Sequence, residues 1–248
     1  MTGILYFSAT GNSLFIAQEI QKDLGGSIRY IPKYNGNGEE FDRIIVVSPI
    51  YSYGLPVHVY NLLPTISREV PMYIVLNYGG MTGGADRFIY EYATGHGLKV
   101  QGVFTVKMPE NYTLTFTVPR FYMESTLRGA PRRISKVIDA IEKGEQHIPK
   151  PRKTKADVYL SNMGKWHLTA ADFSTTADCI LCRKCVDVCP VENITIENGK
   201  VRFADRCVSC LGCYHRCPQK AIVYKNRTKQ DRYINPDIRE TDIGKDIS

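Results

Sequence analysis

Four of the eight cysteines of this chain lie in the stretch Cys179-Ile180-Leu181-Cys182-Arg183-Lys184-Cys185-Val186-Asp187-Val188-Cys189-Pro190. The other four repeat the same spacing at Cys207, Cys210, Cys213 and Cys217, and Pro218 follows the last of them. Each run reads C-x₂-C-x₂-C-x₃-C-P, and every cysteine of the second run lies 28 residues after its counterpart in the first. Three thiolates on one tight loop can hold one metal centre, so we expect this part of the chain to fold around metal.

The spacing resembles that of bacterial two-cluster ferredoxins, in which the fourth cysteine of each run ligates the other cluster. Three thiolates of one run cap three irons of a cubane, and the fourth iron needs a ligand from elsewhere. The resemblance therefore implies two [4Fe–4S] clusters. The first would be held by Cys179, Cys182, Cys185 and Cys217, and the second by Cys207, Cys210, Cys213 and Cys189.

Zinc and disulfides are the alternative interpretations of these cysteines. Paired C-x-x-C motifs bind zinc, but a tetrahedral zinc ion takes four ligands and leaves the third cysteine of each triplet without a role. A disulfide framework is typical of small secreted domains. The stretch from Met1 to Phe7 runs directly into a strand-like pattern, with no room for a leader. We therefore expect reduced thiolates and a cytoplasmic protein.

Composition predicts a soluble chain of two unequal domains. The hydrophobic fraction is 43% and the charged fraction 23%, which is ordinary for a globular protein. No stretch approaches the roughly 18 apolar residues of a membrane span. All cysteines follow residue 178, and this step in composition marks the main boundary. The predicted parts are a first domain at 1–147, a linker at 148–173, a cysteine-rich domain at 174–228 and a polar tail at 229–248.

The formal charge of +7 does not indicate a nucleic-acid partner. Two cubanes with their thiolates would carry roughly −2 each when oxidised, which offsets much of the excess. The short basic run between Lys150 and Lys155 is interpreted as a solvated linker or as a docking patch for an acidic redox partner.

Apolar runs alternate with helical patterns through residue 147, which predicts a parallel sheet with crossover helices. Near-continuous apolar runs such as 43–48 indicate strands that are covered on both faces. The predicted strands are Gly3–Phe7, Ser27–Ile31, Arg43–Ser48, Met72–Asn77 and Leu98–Met108. The predicted helices are Asn12–Leu24, Val57–Ser67, Gly83–Thr94 and Pro131–Lys143.

The loop after the first strand reads Ser8-Ala9-Thr10-Gly11-Asn12-Ser13 and opens a helix. Backbone N–H groups, hydroxyls and the helix dipole at such a place can hold a phosphate. The loop lacks the lysine of a Walker A motif, and no G-x-G-x-x-G follows the strand. These features predict a site for a terminal monophosphate; the alternative is a serine-rich helix cap without a ligand.

The same residues resemble the flavodoxin loop [ST]-x-T-G-N-[ST], which holds the FMN phosphate. The resemblance implies a flavodoxin-like doubly wound sheet of order 2-1-3-4-5, with FMN as cofactor. It also implies that the phosphate is bound by Ser8, Thr10, Gly11, Asn12 and Ser13.

Two further loops follow strands at the carboxyl edge, where open α/β sheets bind ligands. In flavodoxins the corresponding loops clamp the isoalloxazine ring. The resemblance implies aromatic contacts to the ring, amides that face its pyrimidine edge, and a peptide at Gly54 that is free to flip. The residues concerned are Pro49, Tyr51, Tyr53 and Gly54 in one loop, and Asn77, Tyr78, Gly79 and Gly80 in the other.

Local patterns also predict features of the cysteine-rich part. Alternation on both sides of Asn198-Gly199 indicates a two-residue hairpin. Tyr214 and His215 are expected to be packing and surface residues rather than ligands. The side chains expected to shield the clusters from water are Ile180, Val186, Val208 and Leu211.

Taken together, the chain resembles ferredoxin-fused flavodoxins of anaerobic microbes. The resemblance implies an electron-transfer flavoprotein that passes electrons between two [4Fe–4S] clusters, FMN and external redox proteins, as a monomer or homodimer. The alternative is an FMN-dependent reductase of a small organic substrate that the clusters supply with electrons. Its candidate acid–base residues are His58, Glu110 and Tyr112.

Overall fold

The computed structural model describes residues 1–114, 117–227 and 231–247, and its largest element is a parallel sheet. The sheet contains β1 (Thr2–Tyr6), β2 (Ser27–Tyr30), β3 (Arg43–Pro49), β4 (Met72–Tyr78) and β5 (Val100–Lys107). The strands lie in the order β2-β1-β3-β4-β5, and all are parallel. This is the order of flavodoxin-like sheets, so the predicted fold class is confirmed.

The central strands are buried along their length. Ile44, Ile45 and Val47 have no exposed surface, as expected for apolar runs that helices cover on both faces. Strand β3 pairs with β4 as far as Pro49↔Asn77. The loops that follow these two strands therefore leave the sheet at the same edge.

Five helices surround the sheet: α1 (Asn12–Leu24), α2 (Val57–Leu62), α3 (Ala85–Gly95), α4 (Arg120–Arg128) and α5 (Ala130–Glu142). Helix α2 is shorter than predicted, because Pro64 follows it and the chain continues as a 3₁₀ turn, Leu63–Thr65. Helix α4 was not predicted from the sequence. No helix in the described ranges is long and apolar enough to cross a lipid bilayer.

The segment between the two domains is ordered against the first of them. It contains α6 (Ala156–Met163) and a 3₁₀ segment, Trp166–Asp172. Tyr159 of α6 is fully buried, and its hydroxyl donates to the carbonyl of Leu55 at 2.9 Å. This segment therefore packs on the loop between β3 and α2.

The cysteine-rich part contains short elements only: β6 (Phe173–Thr175), α7 (Lys184–Asp187), β7 (Ile194–Glu197), β8 (Lys200–Phe203), α8 (Gly212–His215) and β9 (Ile222–Tyr224). Strands β7 and β8 form the predicted hairpin, with left-handed φ of 50° and 70° at Asn198 and Gly199. Strand β9 pairs antiparallel with β6. The expected domain start at residue 174 lies within β6, and the expected boundary at 228/229 lies outside the described residues.

Both edges of the large sheet are covered by later parts of the chain. At the β2 edge, Ile28 and Ile247 exchange two backbone hydrogen bonds of 2.8 and 2.9 Å. At the β5 edge, Val103 donates to the carbonyl of His147 at 2.9 Å. The C-terminal segment, residues 231–247, thus returns to the N-terminal domain, and it protects an edge strand that would otherwise be open to pairing.

Candidate metal centres and phosphate-binding loop

The eight cysteines gather around two separate cavities. The first cavity is lined by Cys179, Cys182, Cys185 and Cys217, among other residues. The second is lined by Cys189, Cys207, Cys210 and Cys213. Each cavity therefore takes three cysteines from one run and the fourth from the other. Four thiols around each cavity are the donor set that [4Fe–4S] clusters use, so the residues present fit such a group.

The two runs repeat each other in backbone conformation as well as in spacing. Leu181 and Ser209 have left-handed φ of 55° and 51°, and Arg183 and Leu211 have φ of 65° and 61°. Helices α7 and α8 follow at equivalent positions. Left-handed φ is costly for residues other than glycine and clusters at functional sites. The repeated strain turns each loop so that the first three cysteines of its run face one cavity.

Backbone N–H groups point at several of the sulfurs. Asn193 donates to Sγ of Cys189 at 3.2 Å, and Ala221 donates to Sγ of Cys217 at 3.3 Å. These two donors are again 28 residues apart. Hydrogen bonds to sulfur favour the negatively charged ligand form and tune a cluster's potential.

Burial opposes ionisation of the free thiols. It raises the pKa of Cys185 to about 11 and that of Cys210 to about 12. Ligands must be deprotonated to bind metal, so iron binding at these residues releases protons.

The two cavities differ in their surroundings. Around the first, Cys182 is exposed and Ile180 is 61% exposed. Around the second, Val208 and Leu211 are buried, as predicted for residues that shield a cluster. Ile180 also lines its cavity, as expected of a shielding residue, but its other side is open to solvent. The first cavity is thus the outer one and the second the inner one.

The loop of residues 8–13 joins β1 to α1 and is almost completely enclosed. Ser8, Thr10, Asn12 and Ser13 are each at most 4% exposed. Gly11 has φ of 96°, a conformation that residues with a Cβ adopt at a cost, and its N–H donates to Oγ of Ser8 at 2.9 Å.

Neighbouring side chains hold the hydroxyls of this loop. Asn77 donates to Oγ of Ser13, and Asn111 donates to Oγ1 of Thr10, both at 2.7 Å. A hydroxyl that accepts one bond still has its own hydrogen to donate. The first turn of α1 has N–H groups without helical acceptors. This donor set fits a phosphate.

The side chain of Asn12 is used for structure instead. Its Nδ2 donates to the carbonyl of Pro109 at 3.0 Å, and its Oδ1 accepts bonds from Tyr233 at 2.7 Å and from Asn235 at 3.2 Å. The side-chain oxygen of Asn12 is therefore already bonded twice, and the main-chain N–H is the group of this residue that we expect to meet a ligand. Sequence reasoning missed Tyr233 and Asn235, because no local pattern links them to a loop more than 200 positions earlier.

Two of the tyrosines expected to contact the flavin ring, Tyr51 and Tyr53, lie in different surroundings. Tyr51 lies against the inner cysteine loop, with its hydroxyl 3.5 Å from the carbonyl oxygen of Cys210 and its ring edge-on to Trp166. Burial, with the nearby Cys210, raises the pKa of Tyr51 well above its usual value. Tyr53 instead packs on Gly83, beneath the amine of Lys155.

The loop between β3 and α2, which begins after Pro49, is a tight and strained turn. Ser52 and Tyr53 have φ of 49° and 77°, and Tyr51 and Gly54 exchange two backbone hydrogen bonds. A Cβ on Gly54 would lie 2.3 Å from the ring of Tyr159, so only glycine fits there. The peptide at Gly54 is thus enclosed by α6, a contact that the sequence did not predict.

The second predicted loop lies at the end of β4. Asn77 is buried and bonded to Ser13, whereas Tyr78 is half-buried and Gly80 is exposed. A Cβ on Gly79 would lie 2.4 Å from Cα of Glu110, so the close approach at this glycine is to another loop of the chain. Asn77 therefore belongs with the phosphate loop.

Two histidines are shielded from solvent. His215 is 3% exposed and its neighbour Tyr214 has no exposed surface, so both are packing residues, as expected, and neither lies at the surface. His58 packs on the ring of Phe7, and its Nε2 has no partner among the described residues. Burial lowers the pKa of His58 to about 4, so it is neutral near pH 7.

Comparison with known proteins identifies the cysteine-rich part. Residues 178–222 match the family model described as a 4Fe-4S dicluster domain. A ferredoxin of Methanothermococcus thermolithotrophicus is 41% identical to this chain over 46 residues, which is 18% of this chain and 77% of that protein.

Solved structures of flavoproteins are also similar to this chain. Megasphaera elsdenii flavodoxin is 20% identical with a TM-score of 0.36, over 42% of this chain and 85% of its own. A Lactobacillus acidophilus flavoprotein in complex with FMN is 18% identical with a TM-score of 0.37, over 42% of this chain and 91% of its own. The strand order β2-β1-β3-β4-β5, rather than these similarities, defines the fold.

Proposed function

The chain belongs to the 4Fe-4S dicluster ferredoxin family through its C-terminal part, and we propose that it is an electron-transfer flavoprotein. In this proposal two [4Fe–4S] clusters and one FMN exchange electrons within the chain and with external redox proteins. Each cluster, when bound, supplies one electron at a time, whereas FMN, when bound, stores two.

One observation carries this proposal: the inner cysteine loop packs directly on the candidate FMN site. Tyr51 reaches the carbonyl of Cys210 at 3.5 Å. A Cβ on Gly212 would lie 3.8 Å from Cβ of Ala9, within the phosphate loop. Cys210 itself packs against the core of the N-terminal domain. The second cavity is therefore adjacent to the residues that would hold FMN.

The outer cavity supports a role for external partners. Cys182 is exposed, and the neighbouring Ile180 and Leu181 are 61% and 39% exposed. A cluster held there would lie near the surface, where a second redox protein can approach. In the proposal the outer cluster exchanges electrons with the partner, and the inner cluster exchanges them with FMN.

The chain's own residues provide the surroundings that such transfer needs. The buried Val208 and Leu211 limit the access of water to the inner cavity, and water exclusion is one control on cluster potential.

Anaerobic purification with iron, sulfide and flavin quantitation tests the cofactor content. We expect about eight irons per chain, as two cubanes require, and one FMN. In a reductive titration, FMN should be reduced over the same range of potentials as the clusters. Full iron content without FMN uptake, even after incubation with excess FMN, would contradict the proposal.

A phosphate-loop variant tests whether FMN binds at residues 8–13. Thr10→Val removes a hydroxyl that is 1% exposed and keeps the shape of the side chain. It should lose FMN affinity while it retains the iron and sulfide of the unaltered protein. Equal FMN affinity in the two proteins would argue against phosphate binding at this loop.

A further inference from the structure

The C-terminal segment, residues 231–247, closes one side of the phosphate loop. Asn235 donates its main-chain N–H to the carbonyl of Thr10 at 2.8 Å and its side-chain amide to Asn12 at 3.2 Å. The hydroxyl of Tyr233 donates to the same Oδ1 of Asn12 at 2.7 Å. Asn235 is completely buried and Tyr233 is 8% exposed. These bonds are shielded from water and fix the loop.

A second set of bonds reaches the same loop from the cysteine-rich part. His215, in α8 between Cys213 and Cys217, lies with Nε2 2.8 Å from the carbonyl oxygen of Asn111. Asn111 in turn donates to Oγ1 of Thr10. Thr10 is thus connected to α8 through one intermediate residue.

The same histidine also holds the C-terminal segment. The N–H of Tyr233 donates to Nδ1 of His215 at 3.2 Å. Nδ1 must therefore be the acceptor, and the ring proton lies on Nε2, where it can be donated to Asn111. One buried imidazole in a single tautomer is therefore hydrogen-bonded both to Asn111 and to Tyr233, the two residues that support the phosphate loop.

An ion-paired cluster fastens the segment to both cysteine runs. Glu240 accepts from Lys184 of α7 at 2.8 Å and from Arg216, at the end of α8, at 3.2 Å. Further along the segment, the carbonyl of Lys245 accepts from the hydroxyl of Tyr6 at 3.0 Å. The segment is therefore attached to the cysteine loops at one end and to the sheet at the other.

We propose that Asn111, His215, Tyr233 and Asn235 are positioning residues for the FMN phosphate, so that FMN affinity depends on the folded, cluster-loaded C-terminal part. The inference rests on the proposed function, because it concerns the same phosphate loop. None of the four needs to touch FMN. They hold Thr10 and Asn12, which in the proposal bind the phosphate through the Thr10 hydroxyl and the main-chain N–H of Asn12. The loop is then arranged for phosphate before binding, which saves the free energy of ordering it.

The position of His215 should make FMN affinity depend on the clusters. Helix α8 has four residues, Gly212–His215, and is too short to be stable without its surroundings. Cluster ligation at Cys213 and Cys217 would hold it on both sides. Removal of the clusters should release His215 and, with it, both supports of the loop. By thermodynamic reciprocity, bound FMN should also stabilise the cluster-loaded fold.

The test compares two ligands that differ only in the phosphate. Dissociation constants for FMN and for riboflavin are measured by flavin fluorescence on the holoprotein, with iron and sulfide content determined for each variant. Tyr233→Phe removes one hydroxyl, and Asn235→Ala removes the side-chain amide. We expect each to weaken FMN binding by about tenfold, the effect of one lost buried hydrogen bond. Riboflavin binding should be unchanged.

Two exposed residues provide the controls. Asn61→Ala and Tyr122→Phe make the same two substitutions at exposed positions, and neither should alter FMN binding. A general loss of structure would weaken both ligands equally and would lower the iron content, so it is distinguished from a positioning effect. Such a loss in Tyr233→Phe, or FMN affinity as tight as in the unaltered protein, would overturn the inference.

The cluster-free protein, prepared with a chelator, extends the test to coupling. We expect it to bind FMN at least tenfold more weakly than the cluster-loaded protein, with a smaller change for riboflavin. Equal FMN affinity with and without clusters would overturn the coupling. If the unaltered holoprotein did not bind FMN at all, that result would contradict the proposed function itself, and the inference that rests on it.

Discussion

Gly11 is the residue at which the phosphate loop turns into α1. Its φ of 96° lies in the left-handed region, and a Cβ added there would lie 3.1 Å from Cβ of Asn235 and 3.3 Å from Cβ of Ile238. Two separate demands therefore meet at this position: a backbone angle that favours glycine, and close contact with the C-terminal segment.

Gly11→Ala separates these demands when it is compared with Gly144→Ala. Gly144 has φ of 67°, and a methyl group added there would meet open space, so its substitution should cost only the left-handed strain of about 1–2 kcal/mol. Gly11→Ala should cost about 1–3 kcal/mol more, because the methyl also overpacks the segment. Thermal unfolding of both variants measures the difference, and equal shifts in midpoint would show that the segment does not press on the loop.

His58 gives the chain a predicted dependence on pH. Burial lowers its pKa to about 4, whereas an unfolded histidine titrates near 6.5. Between these values the unfolded chain binds a proton that the folded chain does not. Stability is therefore full above pH 6.5 and is lost as the pH falls towards 4.

The expected loss between pH 7.5 and pH 5.5 is about 1 kcal/mol, or roughly 2–4 °C in the unfolding midpoint. His58→Leu removes the titrating group, so this variant should lose less stability over the same pH interval. Midpoints of both proteins at the two pH values check this. Parallel changes in the two proteins would mean that His58 is protonated as easily in the folded state as in the unfolded one.

At the scale of elements, the two cysteine loops exchange their fourth cysteine. Each cavity is lined by three cysteines of one run and by one of the other. Helices α7 and α8 contact each other, which brings the two loops together. With clusters bound, the crossed arrangement would tie the two halves of this small domain to each other through metal.

Cys189→Ala tests the crossed ligation. The variant should damage the cluster anchored by Cys207, Cys210 and Cys213, and leave the cluster anchored by Cys179 intact. Cys217→Ala is the matched control and should show the opposite pattern. Electron paramagnetic resonance of the reduced variants, with iron quantitation, distinguishes the two clusters. Damage to the Cys179 cluster in Cys189→Ala would show that each run ligates its own cluster.

Local signals explain why many elements could be predicted from the sequence. The apolar run at 43–48, the loop from Ser8 to Ser13 and the Asn198-Gly199 turn each carry their signal within a few residues, and the structure has the expected elements there. Helix α4 and helix α6 lack such signals. Tyr159 in α6 is buried only because the loop at Leu55 is there to receive it. Sequence patterns do not encode that contact.

At the scale of the whole molecule, the chain closes on itself. Tyr233 and Asn12 are 221 positions apart and share a buried hydrogen bond. The sequence predicted the two domains but not the segment that ties them, since its contacts are non-local and its own composition is polar. Candidate site residues were therefore found where a motif carried them, whereas Tyr233 and Asn235 required the fold.

This closure places the inner cavity and the phosphate loop in one continuous region. The contact of Tyr51 with Cys210 and the close approach of Gly212 to Ala9 lie within a single chain. Electron transfer between the inner cluster and FMN should therefore need no second molecule. That is the central claim of the proposed function.

The most direct measurement is anaerobic stopped-flow reduction of the FMN-loaded protein, with the flavin absorbance followed over a wide range of protein concentrations. The clusters are first reduced by a limiting amount of one-electron donor. We expect the flavin to be reduced with a rate constant that does not depend on protein concentration, as transfer within one chain requires. A rate that rises in proportion to protein concentration, or reduced clusters beside a flavin that stays oxidised, would contradict it.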